Sequence, residues 1–249
     1  MVIMTKNELV KYFKGKNIIS RDELYEFFLK NEPNLKKNTF AWRVHKLTKK
    51  GIIKIIGRGI YSLKNKDNYF LQLSNVSVKV SNHIAKSYSD LTYCISNSNW
   101  INEFTTHQYS SNFTIVEVEK EFLESVFFSL REKFKNVFLK PSKTEFDRYI
   151  SDLGKAIILI PFITRAPIQK LENKKFLLPT IEKLIVDIFT KNIPYFFLPK
   201  SEVDKIIKNV FRNYNVNQTT LLAYAARRGK KNEIQNFLIE KKLIEARID

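Results

Sequence analysis

The fold of the N-terminal part is decided by residues 36–63, KKNTFAWRVHKLTKKGIIKIIGRGIYSL. Apolar residues recur there at i, i+4 and i+7, which predicts an amphipathic helix over Lys36–Lys50. These apolar residues are Phe40, Val44 and Leu47. Gly51 is a typical helix-ending residue. The β-branched run that follows is broken by Gly57-Arg58-Gly59, so we expect two short strands joined as a hairpin.

Two capping boxes upstream predict two further helices. In each box, a hydroxyl residue is followed three positions later by a glutamate: Thr5 by Glu8, and Ser20 by Glu23. Pro33 ends the second helix. Three helices and a hairpin within about 60 residues form the outline of a winged helix-turn-helix. We therefore predict such a domain over residues 1–67.

Positive charge is concentrated in this N-terminal part. The whole chain has 43 Lys+Arg and 25 Asp+Glu, a net charge of +18. Residues 1–68 carry +10 and the much longer remainder carries +8. A field of this sign favours a polyanionic partner, either nucleic acid or an anionic membrane surface. The polar stretch Lys64–Asn68 is the predicted domain boundary.

In a winged helix-turn-helix, the helix before the hairpin lies in the major groove. We predict that residues 39, 43, 46 and 50 share its DNA-facing side. The candidate DNA-binding residues are Lys36, Lys37, Asn38, Thr39, Trp42, Arg43, Lys46, Lys50 and, at the hairpin tip, Arg58. Arginine suits guanine, asparagine suits adenine, and lysine neutralises phosphates. The alternative to DNA binding is a basic helix whose charged side only faces solvent. The alternative for Trp42 is packing in a core or a domain interface.

The remaining chain alternates strands and helices and becomes wholly helical after Pro179. We predict strands near Thr92–Ser96, Phe113–Glu119, Asn136–Lys140 and Ala156–Ile163, and helices near Ser98–Thr106, Glu121–Lys135 and Ser142–Leu153. The fold class is thus α+β, with a larger domain over residues 70–249 that has a mixed sheet and a helical C-terminal bundle. A cationic cluster between the last two helices is either a second nucleic-acid contact or a solvated turn. Its members are Arg227, Arg228, Lys230 and Lys231.

Catalytic and metal-binding patterns are weak. One cysteine and three scattered histidines give no Cys/His metal cluster, and no glycine-rich phosphate loop is present. Glu117 and Glu119 alternate with valines, which favours a half-buried strand with a polar outer face over a nuclease site. We therefore expect no enzyme, no cofactor and no metal. A nucleic-acid-processing enzyme, such as a nuclease or a nucleotidyltransferase, is the alternative, and a protein-binding scaffold is a third possibility.

The wing sequence resembles a known family. Gly51–Leu63 is similar to the wing of AbiEi-type antitoxins, in which a G-x-I-x-x-x-G-x-G-x-Y stretch follows the recognition helix. Three downstream segments also resemble AbiEi-like proteins: Thr114–Lys120, Thr164–Gln169 and Leu178–Asp187.

This resemblance implies an antitoxin of a type IV toxin–antitoxin pair, which acts in phage defence in bacteria. Its N-terminal domain would bind inverted repeats in its own promoter, as a homodimer or a cooperative pair, and repress its operon. Its C-terminal domain would counteract a genetically linked nucleotidyltransferase toxin without a stable complex. The longest apolar run, Ala156–Ile163, is too short for a membrane helix, and a single cysteine suits a reducing compartment. We expect a cytoplasmic protein.

Overall fold

The computed structural model describes residues 6–13, 16, 18–63, 68–105, 107–171, 174–191 and 193–244. Over these residues the chain has a mixed α/β fold with a small antiparallel sheet, a mixed six-stranded sheet, and helices around both. No helix within the described ranges is long and apolar enough to cross a membrane.

The N-terminal part combines three helices with a three-stranded antiparallel sheet. Its elements are α1 (Lys6–Tyr12), β1 (Ile18–Ser20), α2 (Arg21–Asn31), α3 (Lys37–Lys49), β2 (Lys54–Gly57) and β3 (Ile60–Ser62). The strand order is β1-β3-β2. The helices and the hairpin agree with the predicted order, whereas β1 was not predicted because three residues are too few to show an alternating pattern.

Local sequence signals set the helix ends. The Ser20 hydroxyl accepts a hydrogen bond from Glu23 N at 3.1 Å, and the Glu23 carboxylate accepts one from Ser20 N at 2.8 Å, so this capping box is confirmed. Gly51 follows α3 with a φ of +65°, which suits a residue without a Cβ. The other predicted box begins at Thr5, outside the described residues.

The predicted apolar face of α3 is buried. Phe40, Val44 and Leu47 belong to a hydrophobic cluster made only of residues from this part of the chain, and they pack with side chains of α2 and β3. The predicted boundary is Lys64–Asn68, and its residues 64–67 lie outside the described residues. The division into two domains stays a prediction.

The larger part is built on a mixed sheet with the strand order β6-β7-β5-β4-β9-β8. The strands are β4 (Tyr93–Asn97), β5 (Thr114–Val118), β6 (Val137–Leu139), β7 (Ile157–Pro161), β8 (Ile168–Lys170) and β9 (Leu177–Pro179). The helices are α4 (Asn75–Ser87), α5 (Leu123–Lys133), α6 (Lys143–Tyr149), α7 (Ile181–Phe189), α8 (Lys200–Asn213), α9 (Gln218–Arg227) and α10 (Lys231–Glu240). Four helices after Pro179 agree with the predicted helical end. The helix predicted near Ser98–Thr106 is instead a 3₁₀ helix over Ser98–Glu103.

Helices cover both faces of this sheet. Strands β5, β6 and β7 are parallel to one another, and β4 runs antiparallel to β5. Helix α4 lies on one face, where the Ser77 and Thr114 hydroxyls are 3.0 Å apart. Helix α7 lies on the other face, where Lys183 reaches Glu117 of β5. Cys94 of β4 pairs with Glu117 in register and therefore points to the α7 side as well.

The hairpin tip contacts the larger part of the chain. The backbone N–H of Arg58 donates to Thr219 Oγ1 at 3.2 Å. Gly57 is buried against the start of α9, where a Cβ on Gly57 would lie 3.6 Å from Gln218 Cβ. The tip is therefore held by the first turn of α9 instead of projecting freely into solvent.

Two glycines at this tip should respond differently to alanine. Gly59 has a φ of +71°, so Gly59→Ala should lower the free energy of unfolding by about 1–2 kcal/mol. Gly57 has no positive φ and leaves ordinary van der Waals room, so Gly57→Ala should change it by less than about 0.5 kcal/mol. Urea unfolding followed by circular dichroism measures both. Equal losses at the two positions would contradict this account of the turn.

Candidate nucleic-acid interface

Helix α3 turns a well-defined face to solvent. Because Phe40, Val44 and Leu47 fix its buried side, the opposite side is set by the 3.6-residue period. The exposed residues on that side are Asn38, Trp42, His45 and Lys49, which follow one another at i, i+4, i+7 and i+11. Trp42 is 53% exposed. We call these four residues the outward face; it runs along the whole length of α3.

Trp42 carries a positive charge beside its ring. The Lys46 Nζ lies 4.9 Å from the centroid of the Trp42 ring, within the range of a cation–π contact. The alternative that Trp42 packs in a core or a domain interface is excluded by its exposure. The outward face therefore presents a flat aromatic surface with an adjoining ammonium group.

Arg43 does not belong to the outward face. Its Nη2 donates to both carboxylate oxygens of Glu32, at 2.9 and 2.8 Å, and its guanidinium carbon lies 5.7 Å from the centroid of the Phe28 ring. The arginine ties α3 to the end of α2. The prediction that residues 39, 43, 46 and 50 lie opposite the apolar side of α3 is wrong. These residues flank the apolar stripe instead, and Arg43 is bound to Glu32.

The first turn of α3 agrees better with the predictions. Lys36, Lys37, Asn38 and Thr39 are all exposed, as is Lys50 at the other end. The N-cap residue, Lys36, makes no side-chain cap hydrogen bond, and the first turn contains no acidic residue. The first backbone N–H groups of a helix favour anions, and two lysines here strengthen that preference.

The cationic cluster between α9 and α10 is divided by the structure. Arg227 is exposed and donates to Thr164, Arg228 lines an interior cleft, and Lys230 pairs with Glu233 at 2.7 Å. Lys231 is exposed and lines a groove of about 450 Å³ together with Arg58. Of the predicted supplementary contacts, Lys231 is thus the one that adjoins the hairpin tip.

The most unusual charged group of the larger part was missed by the sequence analysis. Lys183 Nζ lies 2.6 Å from Glu117 Oε1 and 2.7 Å from Asp187 Oδ2, and the Lys183 side chain is 2% exposed. The Tyr224 hydroxyl donates to Asp187 Oδ1 at 3.1 Å. The expectation that Glu117 lies on a polar outer face is wrong, because α7 covers it. The i, i+4 spacing of Lys183 and Asp187 within an apolar helix was the available sequence signal.

Burial and ion pairing both act on the pKa values of Glu117 and Lys183. Burial raises the pKa of Glu117, and the nearby Lys183 opposes that rise only in part. Burial by itself would lower the pKa of Lys183, but Asp187 and Glu117 hold it well above its ordinary value. Lys183 is therefore the fixed positive charge at the centre of the cluster.

The two carboxylates of the nuclease alternative, Glu117 and Glu119, lie in different surroundings. Glu119 follows β5, is exposed, and lines a separate surface depression with Asp90, whereas Glu117 points to α7. Within the described ranges, no group of three or more His, Cys, Asp or Glu side chains is arranged to hold a metal ion.

A comparison with protein families gives one match. Residues 39–244 match the profile of DUF6577, described as a family of unknown function. The matched range begins within α3 and covers the hairpin and every strand and α-helix from α4 to α10. No curated protein matches the chain.

Removing the central lysine should strongly destabilise the protein. Lys183→Met leaves Glu117 and Asp187 buried without their cation, so we expect a loss of about 3–5 kcal/mol in the free energy of unfolding. Lys205→Met is the matched control, because Lys205 also pairs with a glutamate at 2.7 Å but is itself exposed. The control should lose at most about 1 kcal/mol. Denaturant unfolding at neutral pH measures both variants.

The loss in Lys183→Met should also depend on pH. A carboxyl whose folded pKa exceeds its unfolded value takes up a proton on folding, so stability rises as the pH falls through the folded pKa. Burial already raises the pKa of Glu117, and removing Lys183 takes away the main opposing charge. The deficit against wild type should therefore be smaller at pH 5 than at pH 8. A pH-independent deficit would show that packing, not charge, dominates.

Proposed function

We propose that this chain, which belongs to the DUF6577 family, is a DNA-binding transcriptional regulator with an N-terminal winged helix-turn-helix. The observation that carries this proposal is the outward face of α3. That face is fully available, holds Asn38, Trp42, His45 and Lys49, and lies in the most basic part of the chain.

The order of elements supports this assignment. The N-terminal part runs helix, strand, helix, helix, strand, strand, and its first strand pairs with the second strand of the hairpin. This order is typical of winged helix-turn-helix domains, in which the last helix before the wing enters the major groove. Helix α3 would be that recognition helix and β2–β3 the wing.

The roles of the residues follow from their chemistry. Asn38 is exposed in the first turn and would reach base edges, where its amide suits adenine. Lys36, Lys37, Lys49 and Lys50 are exposed at the two ends of α3 and would contact phosphates. Arg58 and Lys231, which share one groove, would extend this contact along the backbone of the duplex.

The similarity of Gly51–Leu63 to AbiEi wings supports a more specific proposal. The protein would repress its own operon as an antitoxin, bind inverted repeats as a pair of copies in the cytoplasm, and counteract a linked nucleotidyltransferase toxin. No enzymatic activity is part of this proposal. The alternative of a nuclease is not favoured, because Glu117 and Glu119 lie in different surroundings.

Fluorescence anisotropy tests the proposal directly. The purified protein is titrated onto a duplex from its own upstream region and onto a scrambled duplex of equal length, across a salt series. We expect binding to the upstream duplex to be at least 100-fold tighter at physiological salt, since specific sites exceed non-specific DNA by roughly 10³–10⁷. Equal and steeply salt-dependent binding to both duplexes would refute a specific regulator.

The outward face of α3 gives a sharper prediction. Trp42→Ala should weaken binding to the upstream duplex by about tenfold or more, because contacts of a recognition helix are worth about 1–3 kcal/mol. Phe128→Ala is the matched control, since Phe128 is an aromatic residue with 58% exposure on α5. Anisotropy with the upstream duplex measures both variants. If Phe128→Ala lost as much DNA affinity as Trp42→Ala, the assignment of α3 as the recognition helix would be contradicted.

The contribution of Arg58 and Lys231 should appear in the salt dependence of DNA affinity. Arg58→Gln and Lys231→Gln should each reduce the slope of log K against log salt by about 1, because each would remove one phosphate contact. Lys205→Gln serves as the control, because it removes an equal charge from α8. An unchanged slope in both test variants would show that Arg58 and Lys231 do not contact DNA.

A further inference from the structure

A second site is suggested by a cleft in the larger part. The cleft has a volume of about 300 Å³, and Glu117, Lys183 and Asp187 line it. Lys140, which follows β6, and Pro161, the last residue of β7, line it as well, so it opens at the carboxyl ends of parallel strands. In open α/β sheets, ligands bind at this end of the strands.

The cleft contains a cation without an acceptor. Arg228, at the end of α9, lines it, and the Arg228 Nε is buried with no hydrogen-bond partner among the described residues. A buried donor of this kind costs free energy unless an acceptor reaches it. Its charge is close enough to Glu117 and Tyr224 to act on both of their pKa values. Arg228 thus lines the cleft with a buried Nε that is unpaired among the described residues, and it lies within electrostatic range of Glu117 and Tyr224.

Lys140 supplies a second positive charge. It is exposed, lines the same cleft, and has a φ of +43°, an uncommon conformation for a lysine. Among the described residues, neither Lys140 nor Arg228 forms an ion pair with a carboxylate. Arginine and lysine together are the usual recognition groups for a phosphate.

The other walls of the cleft suit a ring with hydrogen-bond donors. Tyr195 and Tyr224 contribute aromatic surface, and Ile160 contributes apolar surface. The Glu117 carboxylate and the Ser96 hydroxyl offer acceptors on the same side of the sheet. An amino or hydroxyl group of a ligand would therefore find acceptors in the cleft, and an anionic group would find cations there.

We propose that this cleft binds a nucleoside monophosphate. Its phosphate would contact Arg228 and Lys140, and its base or sugar would contact Glu117, Ser96 and the tyrosines. Small-molecule sites have volumes of roughly 300–1,000 Å³, so about 300 Å³ accommodates one nucleotide but not a dinucleotide cofactor. This site lies apart from the outward face of α3 and does not depend on DNA binding.

Isothermal titration calorimetry of the full chain tests this proposal. The probes are AMP, GMP, CMP and UMP, the four corresponding nucleosides, and inorganic phosphate. We expect at least one monophosphate to bind with a stoichiometry of one. Its nucleoside and inorganic phosphate should each bind at least tenfold more weakly, because each lacks half of the contacts.

Variants assign the binding to the cleft. Arg228→Gln should weaken binding of that monophosphate at least tenfold, and Lys140→Gln should weaken it several-fold. Arg227→Gln is the matched control, since Arg227 is the preceding residue, is exposed, and contacts Thr164 outside the cleft. Its affinity should equal that of wild type. Thermal unfolding of each variant verifies that the fold is retained.

Three results would overturn the proposal. The first is no binding of any monophosphate at millimolar concentration. The second is binding that Arg228→Gln and Lys140→Gln both leave unchanged. The third is inorganic phosphate binding as tightly as the nucleotide, which would indicate a simple anion site. Trp42→Ala should not alter nucleotide binding, so a failure of the DNA-binding proposal is distinguishable from a failure of this one.

Discussion

The ammonium group of Lys183 is the point on which the larger part of the structure depends. It joins Glu117, in the middle of the sheet, to Asp187, one turn further along α7. Taking three charges out of water is costly, and their mutual attraction repays that cost only with good geometry. The distances of 2.6 and 2.7 Å provide it. The position of α7 on the sheet is thereby fixed by charge as well as by apolar packing.

From α7 the same network continues to α9 and to the hairpin. Tyr224 of α9 donates to Asp187, and Glu182, next to Lys183, accepts from the backbone of Asn217 at 2.8 Å. Asn217 in turn caps α9. The first turn of α9 holds the hairpin tip, and its last turn lines the charged cleft. Helix α9, ten residues long, therefore connects the hairpin to the interior of the larger part, and the family match spans both.

Short-range patterns predicted much of this fold, whereas long-range contacts could not be predicted. The capping box at Ser20 and the apolar stripe of α3 are local, and both are confirmed. Helix α4 was missed because Ser77 and Ser81 occupy its buried side, where they are satisfied by Thr114 and Tyr93. No spacing rule indicates such partners, because they lie 12 to 37 residues away.

The candidate interface shows the same limit on a smaller scale. Helical spacing correctly predicted the buried side of α3. The predicted opposite side was wrong, and the spacing could not show that Glu32 would bind Arg43. The groups that sequence reasoning missed in the cleft come from β5, α7 and α9, and the contacts that join them link residues 66 and 37 positions apart along the chain. Local pattern thus predicts which side of a helix is buried, and tertiary contacts decide which of the charges around that side are available.

The distribution of acidic residues supports the proposal that α3 and the hairpin bind a partner of opposite charge. Residues 33–66 contain ten Lys and Arg and no Asp or Glu. Glu32, the nearest acid before this segment, is already paired with Arg43. The segment therefore has no carboxylate of its own to offset the repulsion among its cations, which opposes a compact structure. A polyanion that lies along α3 and the hairpin would relieve that repulsion and release its own counterions. This electrostatic argument supports the proposal of duplex DNA, more than one of a neutral protein surface, for the outward face.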